Sequence, residues 1–125
     1  MTEDRILNIL KELHGKNKCV EACMVARKGL EGVVMFPQSF KDDVGPVWEP
    51  LGKTLNEVLH LVEQYNMYGL DRICLETLGF CVSFYVLELS DTALVIFLKQ
   101  NEDGFKNLLS IMPEIEKARK NITER

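Results

Sequence analysis

Four thiols, two imidazoles and a few adjacent acids are the residues of this chain that could do chemistry. The cysteines stand at 19, 23, 74 and 81, spaced C-x3-C and C-x6-C. Neither spacing is that of a zinc knuckle, and no histidine lies close by to complete a ligand set. A cysteine nucleophile needs a base within hydrogen-bond reach. His14 and His60 have no Cys or Asp neighbour at catalytic spacing, so a couple such as Cys23 with His60 could arise only through folding. The cysteines therefore read as reduced, buried apolar residues, His14 as a surface residue at a helix end and His60 as a helix-surface residue. Asp42-Asp43 read as solvated loop charge rather than a general acid/base pair. Nothing matches G-x-x-x-x-G-K-[ST] or G-x-G-x-x-G, which excludes a nucleotide hydrolase of the common kind. No catalytic residue, cofactor or metal is expected.

Composition narrows the remaining classes. The 125 residues suit one domain, 1–125, and 46% apolar with 27% charged residues is the balance of a soluble globular fold. Fifteen Lys and Arg against nineteen Asp and Glu give a net charge of -4, the wrong sign for a general nucleic-acid binder. Lys16, Lys18, Arg27 and Lys28 cluster near one hairpin and read as solvated loop charge. The longest apolar runs are strand-length, so no membrane insertion is expected. The acidic start Thr2-Glu3-Asp4 is unlike a signal peptide, which points to the cytoplasm.

The elements that would carry these residues follow from hydrophobic period. Ile6, Leu7, Leu10 and Leu13 make a first helix ending near Gly15. Runs 19–27 and 30–36 predict a hairpin turning at Lys28-Gly29. Segment 37–46 reads as a loop, and the main helix as starting near Pro50 and running to Asn66. Strands are predicted at Asp71–Thr77, Phe80–Leu87 and Thr92–Lys99, with turns at Leu78-Gly79 and at 88–91. A last helix spans about Asp103 to Asn121, its inner stripe formed by Phe105, Leu108, Leu109, Met112 and Ile115 and extending to Ala118, with a bend one turn before Pro113.

Two of these elements carry further information. Ala93-Leu94-Val95-Ile96-Phe97-Leu98 has no polar residue, which places it in the middle of a sheet buried on both faces. Arg72-Ile73-Cys74-Leu75-Glu76 alternates and carries charge, which suits an edge. A sheet buried on both sides divides three helices two and one, with the terminal pair on one face and the central helix on the other. The central helix carries Leu51, Leu55, Val58, Leu59, Leu61, Val62 and Tyr65, a spread wider than one sheet needs, and its excess has two readings, burial inside the monomer or, the one favoured, a self-association face. Phe40 and Trp48, beside the loop leading into it, either fold back on the core or anchor a partner.

With the leading helix Ile6-Leu7-Leu10, the stretch Val20-Glu21-Ala22-Cys23-Met24-Val25-Ala26-Arg27-Lys28-Gly29-Leu30, the long helix closing at Gly69, the three-strand block and the last helix in this order, the chain resembles the Roadblock/LC7 family. Lys28-Gly29 departs from the family's usual Asp-Gly turn, and Pro50 and Pro113 are unusual within helices. The resemblance implies an α+β fold of order αββαβββα: a three-layer α/β/α sandwich around a five-stranded antiparallel sheet, profilin-like in type. It also implies a dimer, with itself or a paralogous Roadblock-like chain, formed by the central helix (Leu51, Leu55, Val58, Leu59, Val62, Tyr65) and the third strand (Arg72, Cys74, Glu76). The implied role is a non-catalytic scaffold or regulator of a small Ras-like GTPase, or of a motor complex; Phe40 and Trp48, from their place beside the loop, and Arg27 are the candidate partner contacts to test. A ligand-binding sensory module of profilin- or longin-like fold is the alternative, and a cysteine-dependent enzyme a third reading.

Overall fold

The computed structural model describes residues 2–76, 81–87, 91–99 and 104–123. In chain order they form α1 (Thr2–Lys16), β1 (Val20–Arg27), β2 (Glu31–Phe36), α2 (Phe40–Asp43), α3 (Trp48–Tyr65), β3 (Arg72–Glu76), β4 (Cys81–Val86), β5 (Thr92–Leu98), α4 (Gly104–Ser110) and α5 (Met112–Thr123). The five strands form one sheet of order β2-β1-β5-β4-β3, antiparallel at every step. The all-apolar β5 is the central strand and β3 an edge, as their patterns predict. The turn expected at Leu78-Gly79 lies outside the described residues, as do residues 88–90 of the turn expected at 88–91 and the start of the last helix, and the Phe105 side chain is not described.

Alternation along the strands splits the core in two. Ala22, Met24 and Ala26 of β1, Val82, Phe84 and Val86 of β4, and Ala93, Val95 and Phe97 of β5 face α3. Cys23, Val25, Cys81, Tyr85, Leu94, Ile96 and Leu98 face the other way, against Leu10 and Leu13 of α1 and Ile115 and Ala118 of α5. The terminal helices therefore share one face and the central helix holds the other. Val20 joins the second cluster although it is two residues from Ala22, because the β1–β5 register slips between them. An extra residue in one strand reverses which face the following side chains take.

Several boundaries differ from the sequence reading for local reasons. The first hairpin closes through a three-residue 3-10 turn, Lys28–Leu30, in which Gly29 and Leu30 have φ of 74° and 60°. Leu30 leaves the strand and packs beside Gly52 on α3, where an added Cβ would lie 3.4 Å from it. Burial of that side chain offsets the cost of the left-handed backbone. Segment 37–46 is not plain loop: Phe40 N–H donates to the Pro37 carbonyl and Val44 N–H to that of Phe40, closing the short helix α2. The central helix begins at Trp48, so Pro50 falls in the first turn, where no intrahelical N–H is needed. Ahead of Pro113 the last helix breaks at Ile111 rather than bending, and α5 resumes one residue before the proline.

Candidate functional site

The structure reassigns most of the residues expected to join two chains through α3. Leu51, Leu55, Val58, Leu59 and Val62 are all buried against the chain's own sheet, and Leu55 is fully enclosed. At about 100° per residue these five span only about 100° of helix circumference, which one sheet covers. The expectation that the helix has more apolar surface than one chain can hide is corrected to two side chains, Leu61 and Tyr65, 38% and 49% exposed. Phe40 is likewise no partner contact: its ring packs in the core 4.9 Å from that of Phe97. Trp48 is half-buried against the same cluster, with the Lys41 ammonium 5.5 Å from its ring centre. Arg27 is exposed and pairs with Asp91 at 3.2 Å.

What α3 does expose is asymmetric. Asn56 accepts a hydrogen bond from Gly29 N–H at 2.8 Å, and Gly52 meets Leu30, so that flank faces the first hairpin. Leu61 lies about 140° around the helix from Asn56, and Tyr65 as far from Gly52. Both thus sit on the opposite flank, toward β4 and β3. The outermost face, Glu49, Lys53, Glu57, His60 and Gln64, is polar. Beyond Tyr65 the chain turns through Asn66–Tyr68 and the left-handed Gly69 (φ 89°), and the Tyr65 and Tyr68 rings lie 6.5 Å apart. Met67 and Tyr68 are the most exposed large apolar side chains described, and Leu75 is 40% exposed. Of the six such exposed side chains, five fall between 61 and 75, the sixth being Leu109, so the exposed apolar surface gathers at one corner.

That corner adjoins an open sheet edge. β3 runs back from Gly69 and, among the described residues, pairs only with β4, Arg72 opposite Tyr85 and Cys74 opposite Ser83. Val86 N–H donates to the Asp71 carbonyl at 2.9 Å, which makes Asp71–Val86 a hydrogen-bonded pair. Antiparallel ladders alternate, so Ile73 and Leu75 direct their backbone groups to β4, whereas those of Arg72, Cys74 and Glu76 point outward. These are the three strand residues expected from the sequence, here placed together on one unpaired edge.

An ion cluster fixes the start of β3 to α5. Arg72 binds Asp71 at 2.8 Å and Glu116 at 2.9 Å; Arg119 binds Asp71 and Glu116, each at 3.1 Å, and donates to the Val86 carbonyl at 2.8 Å. Both guanidinium groups lie within 6 Å of the Tyr85 ring centre, at 5.6 and 5.8 Å. The hydrogen bond from Arg72, then that from Arg119, holds the Asp71 carboxyl below its ordinary range against the opposing effect of burial. A carboxyl lowered in the folded state adds stability above its unfolded value, near pH 4, and loses it as pH falls through the folded value. Asp71→Asn is therefore expected to lower stability at pH 7 by about 1 kcal/mol or less, since the pair is partly exposed. The difference from the parent should shrink as pH falls below about 4, read by urea unfolding at both pH values.

Among the described residues Cys23 and His60 are not brought together. Cys23 lies on the α1/α5 face, with its thiol directed at the Leu10 carbonyl and burial pushing it up to about 12, whereas His60 is exposed on α3 across the sheet. Among the described residues no three His, Cys, Asp or Glu side chains group to hold a metal ion. No described helix is long and apolar enough to cross a membrane. The groove between α1 and α5 lined by Arg5, Asn8, Ile9, Glu12 and Asn121 is an open cleft of about 430 Å³. One expectation about the thiols fails, because Cys74 is exposed rather than buried.

By sequence, no family profile and no curated protein matches the chain. By structure it is similar to Myxococcus xanthus MglB (TM-score 0.67, 11% identity, 97% of this chain and 86% of that one). It is also similar to MglC from Myxococcus xanthus (TM-score 0.65, 13% identity, 96% and 98%) and to the Roadblock/LC7 domain from Streptomyces avermitillis (TM-score 0.62, 17% identity, 93% and 96%). The α+β fold expected from the sequence is thus the observed one, and it is the Roadblock/LC7 fold.

Proposed function

We propose that the chain is a non-catalytic scaffold or regulator whose working unit is a symmetric pair, and that the pair carries a small Ras-like GTPase or a motor-complex subunit. The observation that carries the reading is the open β3 edge beside the exposed Leu61, Tyr65, Met67, Tyr68 and Leu75. A bare edge next to an apolar patch is a liability that pairing removes. An antiparallel pairing centred on Cys74 would set its outward backbone groups against those of the partner's Cys74. The same register puts Arg72 opposite the partner's Glu76, twice by symmetry, and opposite charges on facing strands favour it. The Roadblock/LC7 fold supports the assignment of a binding role, and its sequence resemblance supports the class of partner.

In this pair the two sheets join into one, and the two α3 helices with their polar outer faces lie side by side above it. A GTPase seated there would be read by shape and charge, with its nucleotide state altering the fit of its switch segments. Light scattering should give twice the chain mass. The tagged chain should retain a Ras-like GTPase from native extract, in amounts that depend on whether GDP or a non-hydrolysable GTP analogue is supplied. A single-chain mass at micromolar concentration would sink the pair, and retention of no GTPase would sink the partner assignment.

A further inference from the structure

We infer that Cys74 and Cys81 form a peroxide-reactive dithiol, a modification site that closes reversibly to a disulfide within one chain. The two sulfurs lie 3.6 Å apart across the β3–β4 ladder, diagonal neighbours on the α1/α5 face. They differ in access: Cys74 is exposed, and Cys81 is buried beneath it. Cys19 and Cys23 are not equivalent, since Cys23 is fully enclosed and Cys19 half-buried, with burial raising both. Directly opposite Cys74 stands Ser83, 1% exposed, whose hydroxyl is the one buried side-chain polar atom without a hydrogen-bond partner among the described residues. An unsatisfied buried hydroxyl is costly, and an oxygen added to the Cys74 sulfur would give it an acceptor on the same face.

Access assigns the order of steps. The Cys74 thiol gives up its proton, its thiolate attacks one peroxide oxygen, the O–O bond breaks, and Cys74 becomes a sulfenic acid as the other oxygen leaves as hydroxide, which takes up the released proton to become water. Burial pushes the Cys81 thiol up to about 12, so it stays protonated until the sulfenic sulfur is beside it. Its sulfur then attacks that of Cys74; the S–S bond forms, the S–O bond breaks, and the hydroxyl takes the Cys81 proton as a second water. Two thiols give up two electrons and one hydrogen peroxide is reduced to two waters; a cellular dithiol reductant reverses the change. Closing the bond draws the sulfurs together to about 2.05 Å. Within the single chain β3 is held on one side, by β4, and it can supply that movement there.

The test uses the full chain, reduced, then exposed to a small excess of hydrogen peroxide and alkylated in denaturant. Two of the four thiols should become unreactive, with a mass loss of two hydrogens, and peptide mapping should join Cys74 to Cys81 in a chain that still runs as a monomer on a non-reducing gel. Cys74→Ser should abolish the bond, with its circular dichroism unchanged because the residue is exposed. Cys81→Ser should leave a sulfenic acid on Cys74 that dimedone traps. Oxidation of Cys19 instead, four thiols still open to alkylation, or a covalent dimer through Cys74 would each overturn the inference. The last of these would still support pairing at β3, so the two readings fail separately.

Discussion

Leu61→Asp combined with Tyr65→Asp is expected to turn the paired chain into a folded monomer, raising the dissociation constant about 100-fold or more. Each side chain is large, apolar and partly open to water in the single chain. Truncating a central interface residue of this type commonly costs about 2 kcal/mol, and about 1.4 kcal/mol is tenfold in affinity. A carboxylate adds the penalty of being taken out of water against the partner. Within one chain the same changes should matter little, about 0.5 kcal/mol each, since surface positions away from special contacts usually tolerate substitution. Sedimentation should show one chain mass, with the far-ultraviolet spectrum of the parent. A double variant that still sediments as a dimer would place the contact elsewhere.

Charge on the open edge allows a sharper reading of the same surface. With Cys74 at the two-fold axis, Glu76→Arg sets Arg against the partner's Arg72, and like charges directly opposite oppose pairing. Exchanging both, Arg72→Glu with Glu76→Arg, restores opposite signs. The exchange also removes Arg72 from Asp71 and Glu116, so its recovery should be partial. No other register of this strand pairs its two outer charges with each other symmetrically.

The sheet was legible in the sequence because its strands differ in what surrounds them. A run with no polar residue can only be buried on both faces, and Ala93–Leu98 proved central; Arg72–Glu76 alternates, and proved an edge. The division of the helices followed from the same fact. The candidate surface was less legible. Counting apolar residues on α3 overstated its excess, because Leu51, Leu55, Val58, Leu59 and Val62 fit within the arc that one sheet covers. Their angles around the helix contained the signal: Leu61 and Tyr65 alone fall outside that arc and share a flank. Phe40 could not be assigned from sequence, since its inward turn depends on the short helix α2, which has too few residues to show a period. The nearness of Cys74 to Cys81 depends on the β3–β4 register, which residue spacing alone does not set.

Leu55→Ala separates core from surface on the same helix. Leu55 is wholly enclosed between α3 and the sheet, among Met24, Phe84, Phe97 and their neighbours in one cluster. Its removal should cost about 2–5 kcal/mol, the lost transfer energy plus the cavity left where neighbours cannot collapse. Against a total of about 5–15 kcal/mol this is severe, and the melting temperature should fall by about 10 °C or more. The loss should be the same at every protein concentration, because the contact lies within one chain. Leu61→Ala should behave in the opposite way: its stability should match the parent in dilute solution and fall behind only as concentration rises, because pairing stabilises the folded state by mass action. Denaturant midpoints for both variants across a hundredfold range of concentration, about 2.7 kcal/mol of mass action per site, resolve the two cases. If Leu55→Ala showed the concentration dependence and Leu61→Ala did not, the helix would face its partner with the stripe assigned here to the core.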